Sequence, residues 1–256
     1  MFRVRRLLAP FVLCIALLFS EAQAFTIAWL SDTQNYHNAY KPIFDGMTQW
    51  IADNRAALDI RFVFHTGDVV GSWSSEDQWR QARESMGILS SASIPFLAAC
   101  GNHDIGYRMN YANFLKYVLS LRPASMSQEY GDTGSRYELF SANGRDYIFM
   151  GIAFSNKGPS EDEVNWINGV LRQYSSRDAI IITHSYLKKS ASYTTQGKAI
   201  FEKIVKANPN VFLVLCGHCR DISEKSVPLD DDGDGNPDRT VYAIPVSYTH
   251  LTLPTN

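Results

Sequence analysis

The chain has 256 residues, of which 45% are apolar and 20% are charged. This length predicts one domain with a sizeable α/β core and argues against two large domains. The formal net charge of −2 at pH 7 gives no electrostatic case for nucleic acid or an anionic membrane surface as the main partner.

The first 24 residues have the pattern of a secretory signal peptide. A basic start (Met1–Arg6) precedes an apolar run (Leu7–Phe19), and Ala22–Ala24 is a small-x-small cleavage site. The apolar run is interrupted by Pro10 and falls short of the ~20 residues that span a bilayer. We therefore expect a secreted or periplasmic protein with no membrane span after cleavage, whose single domain covers residues 25–245.

Five short apolar runs, each ending in a polar cluster, predict buried strands. They are Thr26–Leu30, Arg61–Phe64, Ile94–Ala98, Ala179–Ile182 and Val211–Leu215. Helical patterns lie between them, at about 43–56, 76–89, 110–119, 161–174 and 196–206. This alternation predicts a largely parallel core sheet.

Two local motifs refine this pattern. Ser74 and Asp77 are spaced as a capping box, which predicts a helix that begins after Ser74. Asn143-Gly144 stands between the apolar runs 136–140 and 146–150, and this dipeptide is a strong signal for an antiparallel hairpin.

Candidate ligand residues follow the predicted strands directly. They are Asp32, Asp68, Asn102, His184 and His218. Ligands bind at the carboxyl edge of open α/β sheets, so these side chains can be neighbours despite their separation in sequence. Two carboxylates, an amide oxygen and imidazoles suit a divalent cation such as Mn, Fe or Zn. Two such ions would hold a phosphate oxygen and lower the pKa of a bound water.

These residues resemble the five signature blocks of the calcineurin-like metallophosphoesterases, in the correct order. The blocks are Asp32 with Gln34, Gly67-Asp68, Gly101-Asn-His-Asp104, His184 and Gly217-His218, and the resemblance extends from Phe25 to about Ile244. It implies an α/β fold of the α-β-β-α type, a two-sheet β-sandwich flanked by helices. It also implies hydrolysis of phosphomonoesters or phosphodiesters by a metal-bound hydroxide at a dinuclear site.

The resemblance also implies a role for each matching residue. Asp68 would bridge the two metals, with Asp32 and Gln34 on the first ion. Asn102, His184 and His218 would bind the second. Asn102 and His103 would contact the substrate, and His103 would protonate the leaving oxygen or stabilise phosphoryl charge. Asp104 would orient His103.

Two positions depart from the family pattern. Gln34 stands where the first block usually has histidine, and Arg220 stands where the fifth block usually has a second histidine. Because arginine cannot coordinate a metal, we expect the first ion to be labile. Arg220 would either bind a substrate phosphate through a bidentate contact or form an ion pair with a nearby acidic side chain. The same departures leave a second hypothesis open: a catalytically degenerate member that binds phosphate or another ligand.

Two further motifs have rival interpretations. Cys216-Gly-His-Cys219 also occurs as the redox motif of disulfide isomerases, but its position near the chain end and the absence of a preceding tryptophan argue against a thioredoxin-like oxidoreductase. A calcium-loop pattern spans Asp230, Asp232, Asp234 and Asp238, with Val241 where the pattern requires glutamate. This pattern is compatible both with a polar hairpin loop and with weak calcium binding.

The C-terminal segment has an unusual composition. Residues 246–255 resemble the in-frame translation of a transposase adapter used in sequencing-library preparation, so we expect residues 246–256 to be a non-native tail and the natural sequence to continue past about Ile244. At the other end, Ser31–Tyr36 resembles exported members of the superfamily that are described as protein-phosphatase-like.

Overall fold

The computed structural model of the protein describes residues 3–5, 13–16, 24–121, 127–219 and 224–247. Within these residues the strands form two sheets. In chain order the strands are β1 (Arg3–Arg5), β2 (Leu13–Ala16), β3 (Thr26–Leu30), β4 (Ile60–His65), β5 (Phe96–Ala98), β6 (Ser127–Glu129), β7 (Arg136–Ala142), β8 (Arg145–Ile152), β9 (Asp178–Thr183), β10 (Val211–Cys216), β11 (Lys225–Leu229) and β12 (Arg239–Pro245).

Five helices accompany these strands in the described part of the chain. They are α1 (Lys41–Asp53), α2 (Glu76–Ser91), α3 (Ala112–Tyr117), α4 (Glu161–Gln173) and α5 (Thr195–Ile200), which continues as a π-helical turn over Phe201–Val205. No helix among the described residues has both the length and the apolar character needed to cross a membrane.

The first sheet has the order β1-β2-β3-β4-β5. Its strands β3, β4 and β5 run parallel, whereas β1 and β2 join its edge antiparallel. Cleavage after residue 24 would remove β1 and β2, and that cleavage stays a prediction.

The second sheet has the order β11-β12-β10-β9-β8-β7-β6. Strands β12, β10, β9 and β8 are parallel at its centre, and antiparallel strands flank them on both sides. The β7–β8 connection confirms the predicted hairpin: Asn143 and Gly144 have φ values of 52° and 74°, as a type I′ turn requires.

The two sheets pack face to face through a core rich in aromatic side chains. Phe62 and Phe64 of β4 contact Phe149 of β8, with ring centroids 4.8 and 4.9 Å apart and edge-to-face geometry. Such aromatic pairs contribute about 0.5–1.5 kcal/mol each beyond the area they bury. Helices α1 to α3 cover the outer face of the first sheet, and α4 and α5 cover that of the second. The expected α-β-β-α architecture is therefore confirmed.

Two details of the sequence interpretation were wrong. The five apolar runs do not form one sheet: three belong to the first sheet and two to the second. Strands buried on both faces are continuously apolar in either sheet, so the pattern cannot assign them. The cap of α2 is Ser75, whose hydroxyl accepts from the Gln78 amide, while the Ser74 hydroxyl contacts Ser72 instead.

Candidate metal centre

The carboxyl ends of strands from both sheets meet at one edge of the sandwich. Five strands contribute to this edge, namely β3, β4, β5, β9 and β10, and each is followed by one of the predicted ligand residues. Asp68 and Asn102 come from the first sheet, and both contact His184 from the second. The predicted convergence of Asp32, Asp68, Asn102, His184 and His218 is thus what the structure shows.

His184 is the centre of the group. Its Nδ1 lies 2.9 Å from the Thr66 carbonyl oxygen, so that nitrogen carries a proton and Nε2 presents a lone pair when the ring is neutral. Two acceptor oxygens and a ring nitrogen surround Nε2: Asp68 Oδ2 at 3.2 Å, Asn102 Oδ1 at 3.1 Å and His218 Nδ1 at 3.1 Å. Acceptors gathered this closely repel one another unless a cation or a shared proton lies between them.

The electrostatics of the pair formed by His184 and Asp68 follow from this packing. Burial lowers the pKa of His184, but the carboxylates of Asp68 and Asp32 outweigh it and raise that pKa to about 9. Burial opposes ionisation of Asp68, yet the neighbouring imidazole of His184 holds the Asp68 pKa below its usual range. A proton on His184 therefore occupies the place where a cation would bind, and metal binding displaces it.

Asp32 and Gln34 form the other half of the site. Burial raises the pKa of Asp32, although its oxygens accept from the Ser31 hydroxyl and from the His218 backbone N–H at 3.2 Å. Gln34 Nε2 lies 3.5 Å from Asp68 Oδ2, and Gln34 Oε1 is buried without a hydrogen-bond partner. A buried amide oxygen without a donor is costly and calls for a cation or a water molecule.

A hydrogen-bond relay behind Asp32 was not anticipated from sequence. The Trp29 indole N–H can only donate, and it donates to Thr66 Oγ1 at 3.0 Å. Thr66 Oγ1 then donates to Ser31 Oγ at 2.7 Å, and Ser31 donates to Asp32 Oδ2. The fixed direction of this relay holds Asp32 as an acceptor. Hydroxyls flanking the ligand positions in Ser31-Asp32 and Thr66-Gly-Asp68 were the available signal in the sequence.

His103 and Asp104 differ from the expected arrangement. Asp104 is fully buried, and its two carboxylate oxygens accept from the backbone N–H groups of Val69, Val70 and Gly101 at 2.8–3.0 Å. Burial raises the Asp104 pKa to about 7. Its carboxylate therefore joins the two ligand-bearing loops, whereas the predicted orientation of His103 is provided by the Gly71 carbonyl, 2.9 Å from His103 Nδ1.

The backbone at the site is tightly constrained. Asp32, Asp68 and His218 have φ values of 55°, 55° and 68°, in the left-handed region that costs non-glycine residues on the order of 1–3 kcal/mol. The neighbouring glycines are required by close approach. A Cβ at Gly101 would lie 2.1 Å from Asp68 Oδ1, and one at Gly217 would lie 2.6 Å from Asp32 Oδ2.

His65 has a structural role beneath the metal centre. It is fully buried, its Nδ1 accepts from the Gly67 amide, and its Nε2 contacts Thr33 Oγ1 at 3.1 Å. Burial, with the nearby His184, lowers the His65 pKa to about 3, so the ring is neutral.

The remaining predictions concern Arg220, the C-terminal tail, the cysteines and the aspartate loop. Arg220, predicted to bind substrate or pair with an acid, and residues 248–256 of the predicted tail lie outside the described residues. Cys100, Cys216 and Cys219 are free thiols. Asp230, Asp232 and Asp238 bring carboxylate oxygens within 4.8 Å of one another on an exposed loop, and calcium binding there stays a prediction.

The donor set fits divalent cations. The ligand-capable atoms of Asp68, His184 and His218 lie within 4.8 Å of one another. Donor atoms at about 2.1 Å from a common ion lie about 3 Å apart when they are at right angles, which matches the 3.1–3.2 Å separations around His184 Nε2. Gln34 Oε1, which is buried without a hydrogen-bond partner, is a further atom with the chemistry of a metal ligand.

Comparisons with known proteins identify the family and the fold of the chain. Residues 25–219 match the family described as Calcineurin-like phosphoesterase. The chain is 40% identical over 228 residues to YvnB of Bacillus subtilis (strain 168), an alignment that covers 88% of this chain and 18% of YvnB. The chain thus spans less than a fifth of that relative's length.

Solved structures share the fold. A dimetal phosphatase from Danio rerio superposes with a TM-score of 0.59 at 14% identity, covering 87% of each chain. A purple acid phosphatase from yellow lupin (Lupinus luteus) seeds superposes with a TM-score of 0.56 at 14% identity, covering 91% of this chain and 49% of that one. At such identities the likeness concerns the fold.

Proposed function

We propose that this chain, which belongs to the calcineurin-like phosphoesterase family, hydrolyses phosphomonoesters or phosphodiesters with two divalent cations, Mn, Fe or Zn. The proposed ligands are Asp32, Gln34, Asp68, Asn102, His184 and His218. The observation that carries this proposal is the crowding of three ligand-capable atoms, two oxygens and a ring nitrogen, around His184 Nε2 at 3.1–3.2 Å.

The cations would polarise a phosphoryl oxygen and lower the pKa of a water molecule positioned for in-line attack. Asp68 is placed to serve both ions, since Oδ2 faces His184 and Gln34 and Oδ1 is anchored by the His103 amide at 2.9 Å. The two ions differ in their protein ligands. Because Gln34 offers a neutral amide oxygen in place of an imidazole, we propose that the ion beside Asp32 exchanges more readily.

His103 would act on the leaving group. Its ring is exposed, and its Nδ1–H donates to the Gly71 carbonyl, which leaves Nε2 as the nitrogen that would protonate a departing oxygen. Because the backbone N–H of the same residue holds Asp68, the leaving-group acid and the proposed bridging ligand are positioned by one residue.

We also propose that the protein acts after export, in the periplasm or outside the cell. The motif that supports this lies in residues 1–24, where basic, apolar and small residues follow one another as in a cleaved signal.

The test is turnover of p-nitrophenyl phosphate and bis-p-nitrophenyl phosphate. Chelated protein beginning at Phe25 would be resupplied with Mn, Zn or Fe, and the preferred ester would identify the enzyme as a mono- or diesterase. We expect metal-dependent turnover that falls by at least about 100-fold in His103→Ala, since general acid–base catalysis alone contributes about that factor. A comparable loss is expected in Asn102→Ala, because this change removes a proposed metal ligand.

Asn236→Ala, on the exposed aspartate loop, is the matched control and should keep full activity. Folded wild-type protein that binds an ion tightly but turns over neither ester with any metal would contradict the proposal. It would favour the degenerate, ligand-binding alternative, with Gln34 and Arg220 as the explanation.

A further inference from the structure

A cavity of about 290 Å³ opens beside His218 on the side of the second sheet. Phe154 forms the wall next to the metal centre, with its ring centroid 6.0 Å from that of His184 and 6.4 Å from that of His218. Because His218 lines both the metal centre and the cavity, a phosphoryl group at the metals would place one of its substituents there.

The cavity is built from rigid elements. Gln196 lies at its base, almost fully buried, where Oε1 accepts from the Ser155 amide at 3.1 Å and Nε2 donates to the Ala153 carbonyl at 2.8 Å. Thr194 donates to the Ser185 carbonyl and accepts from the Gly197 amide. These hydrogen bonds occupy the polar groups of Gln196 and Thr194, and they hold both side chains in place in the wall of the cavity.

Other polar groups of the lining stay available. Within the described part of the chain, the side chains of Asn156, Lys188 and Thr195 make no hydrogen bond to the protein. The backbone of Lys188 is fixed by a turn in which its N–H donates to the Ser192 carbonyl at 2.7 Å and its carbonyl accepts from the Ala191 amide at 2.9 Å. The backbone of Lys188 is thus held in place by the turn, while its ammonium group makes no hydrogen bond to the described residues.

The formal charge of the described cavity lining is positive. This lining contains Lys188 and no aspartate or glutamate, although the whole chain has a formal charge of −2. A positive charge beside neutral hydroxyl and amide groups favours an anionic, hydroxylated ligand over an apolar one. The volume is at the lower end of small-molecule sites, which limits that ligand to a small group.

From these observations we propose that the cavity binds the leaving-group side of the substrate, and that Lys188 selects leaving groups that carry a second negative charge. The substrate class is then a small phosphoester with a second phosphate or a carboxylate. This inference rests on the proposed function, because the phosphoryl group must sit at the metal ions.

The test uses ligands that cannot be hydrolysed. Metal-loaded protein would be titrated by calorimetry with butylphosphonate, with alkane diphosphonates of two to six carbons and with 4-phosphonobutyrate. We expect the best-fitting ligand with two anionic groups to bind about 10-fold more tightly than butylphosphonate, which has one, at low salt. This factor is the effect of one charge-assisted contact. Comparison of the diphosphonates with 4-phosphonobutyrate distinguishes a second phosphate from a carboxylate.

Two variants assign the effect to the cavity. Lys188→Ala should abolish the preference and Lys188→Glu should reverse it, whereas Lys189→Ala, the neighbouring exposed lysine outside the lining, should keep it. Lys189→Ala should also turn over p-nitrophenyl phosphate at the wild-type rate, because this side chain is outside the lining.

Equal binding of both ligand types, or a preference that survives Lys188→Glu, would overturn this inference while turnover of p-nitrophenyl phosphate still supports the proposed function. Absence of turnover together with an intact, Lys188-dependent preference would instead contradict only the hydrolytic function.

Discussion

Two clusters of aspartates in the described part of the chain differ in what satisfies their carboxylates. In the exposed loop, the oxygens of Asp230 accept from the Gly233 and Gly235 amides at 2.7 and 2.8 Å, and these bonds hold the Asp230 pKa below its usual range. At the metal centre, Asp32 is buried, and burial raises its pKa. The pKa of Asp230 and that of Asp32 are thus shifted in opposite directions by their surroundings, whereas the pKa of Asp68 is lowered, because the effect of burial is outweighed by the imidazole of His184 beside it.

The difference shows which cluster needs a partner. The loop carboxylates are exposed to solvent and accept hydrogen bonds from backbone amides of the same loop, so they are satisfied without a cation. The buried cluster holds two carboxylates, two imidazoles and the orphaned Gln34 oxygen in left-handed or tightly packed backbone. Such an arrangement costs free energy that a bound cation offsets, as expected of a preorganised site.

The largest effect should come from the proposed bridging ligand. Asp68→Asn keeps the shape of the side chain but removes the charge shared by the two ions. We expect kcat/KM for the better p-nitrophenyl ester to fall at least about 10³-fold, since metal ions contribute several kcal/mol of charge stabilisation. Asp232→Asn in the exposed loop makes the same change and should leave kcat/KM unchanged. Equal losses in both variants would show that the buried cluster has no special role.

The second effect concerns stability. Asp104→Asn leaves one oxygen for three buried amide donors, those of Val69, Val70 and Gly101, so at least one donor loses its partner. We expect urea unfolding to show a loss of about 1–3 kcal/mol. Asp238→Asn is the matched control, because Asp238 Oδ2 also accepts two backbone amides, from Asp231 and Asp232, but on the surface. Its loss should stay within about 0.5 kcal/mol, and a loss as large as that of Asp104→Asn would contradict the comparison.

The third effect concerns the relay behind Asp32. Ser31→Ala removes the hydroxyl that donates to Asp32 and leaves Thr66 without its acceptor. We expect the affinity of the more weakly held ion to fall about 10–100-fold, as for other groups that orient metal ligands, with the tighter ion unaffected. Metal titration followed by calorimetry would separate the two steps. Ser74→Ala, which removes a hydroxyl contact with Ser72 on the surface, is the control; an equal loss of both ions in Ser31→Ala would contradict the relay.

The convergence of the candidate ligand residues was predictable from sequence because each of them follows an apolar run, and the parallel strands bring those positions to one edge. The assignment of the apolar runs to two different sheets was not predictable, since buried strands have the same pattern in either sheet. The role of Asp104 was also missed, because Gly-Asn-His-Asp indicates an acid beside His103 but says nothing about three amides contributed by two separate loops. The relay depends on Trp29 and Thr66, which are adjacent only after β3 and β4 pair.

The smallest effect should come from calcium at the exposed loop. The carboxylates of Asp230, Asp232 and Asp238 lie close enough to share an ion, but the loop lacks the glutamate that completes a calcium loop, and its oxygens already accept from backbone amides. We therefore expect a Kd of about 10⁻⁴–10⁻³ M, a small rise in Tm at millimolar calcium and no change in turnover. Asp230→Ala should abolish the rise, whereas Asp68→Asn should keep it. A rise that persists in Asp230→Ala would place the calcium elsewhere, and a rise lost in Asp68→Asn would place it at the metal centre, where ligand-capable atoms crowd around His184 Nε2 and a cation has more to stabilise.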